Sequence, residues 1–298
     1  FASSVQKIYE YFFEKIIDKL SLKNFSKNLV FAGGCALNSS ANRFITNENK
    51  LFEKIYIPCA PGDNGGALGA AFVVSSHFNN KTQNYKNPYL GTEFSNDEVI
   101  KILNHDNYKN AVTYNFIEND VDLFKSAAKL ITKGKIVGWF QGQMEFGPRA
   151  LGNRSILADP RNPDMKNIIN MKIKRRESFR PFAPSILEKY QSDWFESKFI
   201  NPYMSSITKV KSDKQKIIPA VTHVDNTARI QTVSLDSNFR YASLINEFYL
   251  LTNVPILLNT SFNENEPIVM KPEEALNCLI RTDMDAVFIN NYLVKKFN

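Results

Sequence analysis

One stretch of the chain, residues 138–163 with the sequence GWFQGQMEFGPRALGNRSILADPRNP, combines closely spaced glycines with polar and charged side chains. It overlaps the end of an apolar stretch, residues 136–140, that predicts a strand. Glycines and charges at this density do not favour a core and are typical of a loop that binds a ligand. The polar side chains of this segment include Gln141, Glu145, Arg149, Asn153, Arg154 and Arg161.

A second basic stretch, residues 172–184 with the sequence KIKRRESFRPFAP, adds Lys174, Arg176 and Arg180 next to two prolines. Prolines stiffen a loop, and a guanidinium supplies paired donors that match phosphate oxygens. The alternative is a charged surface loop with a local Arg–Glu177 pair. We favour that alternative for Arg175.

Two polar stretches further along the chain also suit ligand contacts. The sequence THVDNTAR contains His223, Asp225, Thr227 and Arg229. A single histidine of this kind is more often a hydrogen-bonded structural residue than a catalyst, so both roles stay open for His223. The sequence VPILLNTS places Asn259 and Ser261 at the end of a buried strand, where open α/β sheets bind ligands.

Two glycine loops mark the first part of the chain. In FAGGCALN, Gly33 and Gly34 lie between a strand and a helix, so the backbone can approach an anion closely. In PCAPGDNGGALGAA, Asp63 precedes a helix, where its carboxylate is either a ligand or only an N-cap. Neither loop is a dinucleotide fingerprint or a Walker motif.

These candidate residues require alternating strands and helices to position them, which predicts an α/β fold. A polar stretch, residues 79–97, predicts a linker between residues 1–78 and residues 98–298. The predicted helices cover residues 5–20, 37 onward, 64–77, 122–133, 162–172, 241–251 and 272–281, and the predicted strands cover residues 29–31, 54–57, 136–140, 255–258, 286–289 and 292–294.

The length and the net charge of the chain limit its domain count and the kinds of ligand it is expected to bind. The chain has 298 residues, which suits two domains, and a formal net charge of +7. Because the basic residues that stand out lie inside loop motifs and form no Lys/Arg block, we favour polyanionic small ligands over nucleic acid or a membrane. Many lysines also fit a solvated surface.

The spacing of the cysteines, the longest apolar run and the first residue each support a further expectation. The three cysteines form no CxxC pair, so we expect no zinc site or disulfide framework, and a cytoplasmic location. The longest apolar run, residues 65–74, is shorter than a bilayer requires. Because the chain begins at Phe1, we expect it to be a piece of a longer protein.

The motifs GGCALN, PGDNGGALGAA, GWFQGQMEFGPRALGNRSILADPR, FRPFAPSIL, THVDNTARIQTV and LLNTSFNENEPIV together resemble the O-carbamoyltransferase family, which includes nodulation-factor and antibiotic-tailoring enzymes. The resemblance covers nearly the whole chain. It implies that residues 1–78 are the second half of an actin/hexokinase-like ATPase domain. It further implies that residues 98–298 are an α/β domain like threonylcarbamoyl-AMP synthase, which joins ATP and carbamoyl phosphate into carbamoyl-adenylate.

The resemblance also implies roles for individual residues. Lys174 and Arg176 resemble a basic pair that holds phosphates, and Asn259 and Ser261 resemble the polar pair of the same fold. Asp63 resembles a metal-ligating carboxylate. The remaining implied positions are anion contacts at Arg149, Arg154, Arg180 and Arg229, a substrate contact at His223, and nucleotide-loop positions at Gly33, Gly34 and Asn38.

The cofactors implied by the resemblance are ATP with Mg²⁺ and a transition metal, iron being a candidate, at the transfer site. The implied partners are carbamoyl phosphate, a hydroxyl acceptor such as a sugar or another small molecule, and an upstream half-domain. The family takes its metal histidines from that half-domain, and this chain has only His77, His105 and His223. We therefore expect the metal and acceptor sites to be incomplete in this chain.

Two other functions remain as alternatives. One is a threonylcarbamoyl-adenylate synthase that serves tRNA modification, against which the attached glycine loops argue. The other is a non-catalytic subunit that binds nucleotide or RNA through its charge, which would show as steeply salt-dependent RNA binding without turnover.

Overall fold

The computed structural model describes residues 1–23, 25–48, 52–79 and 87–297, and it confirms the predicted α/β class. The helices are α1 (Ala2–Leu22), α2 (Ser39–Arg43), α3 (Asp63–Asn79), α4 (Asn96–Leu103), α5 (Asp120–Thr132), α6 (Met165–Ile169), α7 (Gln191–Trp194), α8 (Phe239–Thr252) and α9 (Pro272–Arg281). The strands are β1 (Asn28–Val30), β2 (Lys54–Tyr56), β3 (Val112–Phe116), β4 (Val137–Phe140), β5 (Arg154–Ala158), β6 (Ala183–Leu187), β7 (Thr208–Lys209), β8 (Thr227–Ala228), β9 (Gln231–Val233), β10 (Ile256–Ser261), β11 (Ala286–Ile289) and β12 (Tyr292–Lys296).

Within these described residues, one mixed sheet of eight strands dominates, in the order β3-β12-β11-β4-β5-β10-β6-β9. Its central strands β4 and β5 are buried along their whole length. Helices α5 and α8 pack against each other, and α9 packs on β4 and β11. The loop that joins β4 to β5 therefore projects from two strands that are buried throughout.

The helix termini follow from local sequence. Ser95 and Glu98 form a capping box at the start of α4. Asn119 and Asn238 cap α5 and α8 by accepting a backbone N–H with their side chains. Asn253 then ends α8 in the left-handed conformation that asparagine tolerates.

The expectation that residues 138–163 form only a ligand loop is wrong in part. Residues 154–158 are the buried strand β5, which pairs with β4 on one side and β10 on the other. Polar side chains are tolerated there because Arg154 and Ser155 have hydrogen-bond partners inside the protein. The predicted helix over residues 162–172 also shortens to α6, followed by a wider turn to Lys174 and by Arg175 at φ +42°.

The described residues up to position 79 form a smaller unit around the parallel pair β1 and β2. Its core consists of few side chains, including Phe13, Ile17, Ala41 and Ile45. Both long helices of this unit leave apolar side chains in solvent. The exposed apolar surface includes Val5, Ile8, Phe12, Ile16 and Leu20 of α1 and Val73, Val74 and Phe78 of α3.

Hydrogen bonds tie this smaller unit to residues 205–207. Asn42 Nδ2 donates to the carbonyl of Ser205 at 2.7 Å, and Asn47 Nδ2 donates to that of Ile207 at 2.7 Å. The Thr46 and Ser206 hydroxyls lie 2.7 Å apart. Part of the predicted linker, residues 80–86, lies outside the described residues. The predicted domain boundaries stay predictions.

No helix in the described ranges combines the length and apolarity that crossing a bilayer requires. The apolar run at residues 65–74 belongs to α3 of the smaller unit.

Candidate active site

The loop between β4 and β5 presents Arg149. Gly147, at φ +130°, lies so close to the Cys59 carbonyl that a Cβ atom would come within 2.5 Å of it. Arg149 is half-buried, and its side chain makes no hydrogen bond or ion pair within the described residues. Burial lowers the pKa of this guanidinium. An unpaired, partly desolvated arginine on a fixed loop is a ready anion contact.

Arg229 and Arg176 extend this positive site. Arg229 follows β8, and burial together with the nearby charges of Arg149 and Arg176 lowers its pKa to about 9. No carboxylate contributes to that balance. Burial and the charge of Arg180 lower the pKa of Arg176, while Glu177 opposes that shift. We call Arg149, Arg176 and Arg229 the arginine cluster, and its net positive charge favours a bound anion.

Arg176 is fixed by its own contacts. Its Nε donates to Asn170 Oδ1 at 2.8 Å, and the guanidinium lies 5.0 Å over the ring centroid of Phe182. The terminal Nη atoms have no hydrogen-bond partner in the described part of the chain. Both nitrogens are therefore available to donate paired hydrogen bonds to a phosphate group.

Lys174 lies beside Arg176 but faces inward. It is 1% exposed, and its Nζ, which has three N–H donors, lies 2.5–3.1 Å from four oxygens of Ser261 and Asn263. Burial and, to a lesser extent, Arg176 lower the pKa of the Lys174 ammonium to about 7. Lys174 therefore supplies charge next to the arginine cluster, while its donors order the chain that follows β10.

This pKa gives a testable pH dependence. A bound anion favours the protonated ammonium, so pyrophosphate affinity should fall as the pH rises through about 7 and Lys174 loses its proton. The ligand's own ionisation affects every variant equally. Titration calorimetry from pH 6 to 8 on the parent and on Lys174→Met therefore isolates the lysine. Parallel affinity profiles would show that the charge of Lys174 does not act on the anion.

Arg154, predicted as an anion contact, is fully buried and engaged inside the protein. Its Nη atoms donate to four backbone carbonyls at 2.8–3.1 Å, those of Gln141, Asn153, Thr92 and Gly142. The guanidinium also lies 3.6 Å over the Phe140 ring. This geometry gives Arg154 a structural role in joining residue 92 to the loop, and leaves no terminal nitrogen for a ligand.

Asn259 also acts inside the protein. It is 1% exposed, and its Nδ2 lies within 3.2 Å of the Ala150 carbonyl, Ser185 Oγ and Gln231 Oε1. Asn259 therefore holds the backbone next to Arg149, and its predicted contact with substrate stays a prediction. Ser261 Oγ donates to Asn263 Oδ1 at 2.7 Å and accepts from Lys174.

The tautomer of His223 follows from its neighbours. Thr227 Oγ1 donates its only proton to Asp225 Oδ1 at 2.7 Å, so toward His223 Nδ1, at 3.1 Å, it can only accept. Nδ1 therefore carries the ring proton. Burial lowers the pKa of His223, while Asp225 opposes that shift. In the neutral ring, Nε2 is a hydrogen-bond acceptor. The guanidinium groups of the arginine cluster have no acceptor atom.

The exposed arginines pair differently from the expectation. Glu177 binds Arg180 at 2.9 Å, whereas Arg175 binds Glu264 at 3.1 Å. The local Glu177 pair therefore belongs to Arg180, because the left-handed Arg175 points its side chain toward another loop. Both arginines are more than half exposed, so these pairs contribute little stability.

The two glycine loops meet around one cavity of about 640 Å³, which is lined by Gly33 and Asp63. Gly33, at φ +98°, donates its N–H to the Pro61 carbonyl at 2.6 Å, and Gly34 begins a short 3₁₀ turn. Asn38 lies apart from this role, since its side chain caps α2 and bonds Gln6. Its predicted nucleotide contact stays a prediction.

Asp63 is the first residue of α3 rather than the residue before it. Its carboxylate makes no hydrogen bond within the described residues, so no side-chain cap is observed. Among those residues, no three His, Cys, Asp or Glu side chains lie together as a metal site. Asp63 alone does not fit a transition metal, which needs several ligands in fixed geometry.

The glycine-loop cavity and the arginine cluster adjoin each other. A narrow cleft between them is lined by Cys59, Pro61, Pro148, Arg149 and Tyr203. The structure thus brings together Arg149, Arg176 and Arg229 in one site, and Gly33 and Asp63 in the next. Sequence patterns gave no signal for the contributions of Tyr89 and Gln231, whose side chains both donate to the Leu151 carbonyl.

Comparison with known proteins identifies the family. Residues 128–296 match the model described as Carbamoyltransferase C-terminus, and residues 1–72 match the one described as Carbamoyltransferase N-terminus. The chain therefore belongs to the carbamoyltransferase family, and the resemblance inferred from its motifs is confirmed.

Relatives include an uncharacterized protein of Synechocystis sp., 40% identical over 99% of this chain and 52% of its own length. Nodulation protein NolO of Bradyrhizobium diazoefficiens is 42% identical over 90% of this chain and 49% of its own length. Nodulation protein U of Rhizobium tropici is 35% identical over 80% of this chain and 38% of its own length. The chain spans about half the length, or less, of these curated relatives.

Among solved structures, full-length HypF in its phosphate- and nucleotide-bound form aligns with 83% of this chain and 36% of its own. The sequence identity is 14% and the TM-score 0.39, so this likeness carries no argument about function.

Proposed function

We propose that residues 98–298 activate carbamoyl phosphate with ATP and form carbamoyl-adenylate. The observation that carries this proposal is the arginine cluster, three guanidinium groups of which only Arg176 has a carboxylate, Glu177, acting on its charge. ATP, pyrophosphate and carbamoyl phosphate are all anions that such a site attracts. Membership in the carbamoyltransferase family supports the carbamoyl group as the one that is transferred.

The proposed reaction balances with one water molecule. Water takes the phosphoryl group of carbamoyl phosphate, which leaves carbamate and inorganic phosphate. A carbamate oxygen then attacks the α-phosphorus of ATP, and the bond to pyrophosphate breaks. Negative charge builds on the phosphate oxygens in both steps, and donors already held in place stabilise it. Mg²⁺ is the proposed partner of ATP.

The first test is substrate dependence. The purified chain should release pyrophosphate from ATP when carbamoyl phosphate is present, and should not do so with threonine plus bicarbonate. Radiolabelled ATP and thin-layer separation of the products measure both reactions. Equal release with threonine and bicarbonate would assign the site to threonylcarbamoyl-adenylate synthesis and overturn the carbamoyl phosphate proposal.

We further propose that the glycine-loop cavity belongs to the transfer step, in which a hydroxyl of a sugar or another small molecule attacks the carbamoyl carbon and AMP leaves. Three observations support an additional half-domain at this site. The cavity offers Asp63 as a single carboxylate, α1 and α3 expose apolar side chains, and the curated relatives are about twice as long. That half-domain would cover the apolar surface and supply the further metal ligands.

A further inference from the structure

We propose that Glu145 is a positioning residue, whose carboxylate closes the β4–β5 loop and thereby holds Arg149 in the anion site. This inference rests on the proposed function, because it assigns Arg149 to the binding of phosphate groups. Glu145 is 5% exposed, and it has no cation within ion-pair distance in the described part of the chain. A carboxylate that is buried in this way must be satisfied by other donors.

Those donors are backbone N–H groups on the opposite limb of the loop. Glu145 Oε1 accepts from Leu151 at 2.6 Å, from Asn153 at 2.7 Å and from Arg154 at 3.2 Å. One oxygen therefore joins residue 145 to residues 151–154 and closes a small loop with Arg149 near its end. Hydrogen bonds to a charged acceptor are stronger than neutral ones.

The rest of the small loop is fixed on both sides of Arg149. The Ala150 carbonyl accepts from Asn259, and the Leu151 carbonyl accepts from Tyr89 at 2.9 Å and Gln231 at 2.8 Å. On the other limb, Phe146 donates its backbone N–H to the Pro88 carbonyl at 2.7 Å. The backbone is thus immobilised while the Arg149 side chain keeps its donors free.

Two glycines make the tight closure possible. Gly147 and Gly152 both have positive φ, at +130° and +108°, and a Cβ atom on Gly152 would lie 2.1 Å from the Tyr241 ring. The loop therefore has one compact arrangement, with Glu145 as the acceptor at its centre. Without that acceptor, we expect Arg149 to sample positions away from Arg176 and Arg229.

The test is a double-mutant cycle on pyrophosphate affinity, measured by titration calorimetry with melting temperatures recorded for each variant. Arg149→Ala should weaken binding by roughly tenfold or more, which is the size of a hydrogen bond to a charged group. Glu145→Ala should weaken binding similarly alone, but by less than about twofold in the Arg149→Ala background. Glu145→Gln retains an acceptor oxygen and should restore most of the affinity.

Arg176→Ala provides the matched background, because Arg176 is held by Asn170 and Phe182 rather than by this loop. In the Arg176→Ala background, Glu145→Ala should weaken pyrophosphate binding by the same factor as it does in the parent chain. If Glu145→Ala does not fold, the same cycle uses Tyr89→Phe, which removes one neutral hydrogen bond to Leu151 and should cost roughly two- to tenfold.

The outcomes separate the two proposals. A parent chain that does not bind pyrophosphate would overturn the proposed function. A parent that binds, combined with equal effects of Glu145→Ala in the Arg149→Ala and Arg176→Ala backgrounds, would overturn only the positioning role. A Glu145→Gln variant as weak as Glu145→Ala would do the same, because it would assign the effect to charge instead of loop closure.

Discussion

Arg229→Met should give a chain that is more stable than the parent and nearly inactive. At neutral pH the ionised Arg229 costs folding free energy, because burial, Arg149 and Arg176 all lower its pKa, to about 9. Methionine of similar length removes that cost. We expect a gain of about 1 kcal/mol or more, or roughly 2 °C or more in Tm.

The same substitution removes the donors that the proposed function assigns to the anion. Hydrogen bonds to a charged group contribute about 1.5–3 kcal/mol each, so losing two should slow pyrophosphate release by roughly a hundredfold or more. Arg240→Met is the matched control, because Arg240 is also partly buried but pairs with Asp120 at 3.0 Å. It should keep its activity.

Calorimetric melting and a coupled pyrophosphate assay measure the two effects on the same samples. A less stable Arg229→Met chain would mean that Arg229 has a stabilising partner. Full activity in that variant would remove Arg229 from the reaction.

Transfer to a hydroxyl acceptor should depend almost entirely on the proposed upstream half-domain. This chain alone should make carbamoyl-adenylate but carbamoylate an acceptor poorly, since within the described residues Asp63 belongs to no group of three or more metal-ligating side chains, and a transition metal needs several ligands in fixed geometry. Supplying that half-domain from a relative, fused or as a separate chain, should restore transfer. Mass spectrometry of the acceptor, with metal analysis of the complex, measures the gain.

Asp63→Asn in the complemented enzyme tests the carboxylate itself. Asparagine caps a helix about as well as aspartate, so a capping role would leave transfer and metal content unchanged. A ligand role predicts loss of both while adenylate formation continues. Efficient transfer by the chain without the half-domain would contradict the division between the two parts.

Sequence patterns predicted the frame of this protein where periodicity was strong. The predicted strand at residues 136–140 is confirmed as β4, and the predicted helix at residues 272–281 is confirmed as α9. Strands β5 and β6 were not predicted, because glycines and charges surround the first and prolines interrupt the second. Their burial depends on neighbours in the sheet that are distant in sequence.

The candidate site was predictable by residue type but not by role. Arginine-rich loops indicated an anion site, and Arg149, Arg176 and Arg229 do lie together. The same composition could not distinguish them from Arg154, whose donors are taken up by backbone carbonyls from residue 92 and from residues 141–153. Which arginine stays free depends on these long-range contacts, which leave no local pattern.

The strand order also constrains how the chain folds during synthesis. Strands β4 and β5 pair with each other, yet their outer neighbours β11 and β10 are encoded only after residue 255. Strand β3 can pair only later still in synthesis, because its partner in the sheet is β12, the last strand described. Until those residues leave the ribosome, the edges of the hydrophobic strands β4 and β5 remain open to other chains. Expression of this protein should therefore respond to chaperone supply and slower translation.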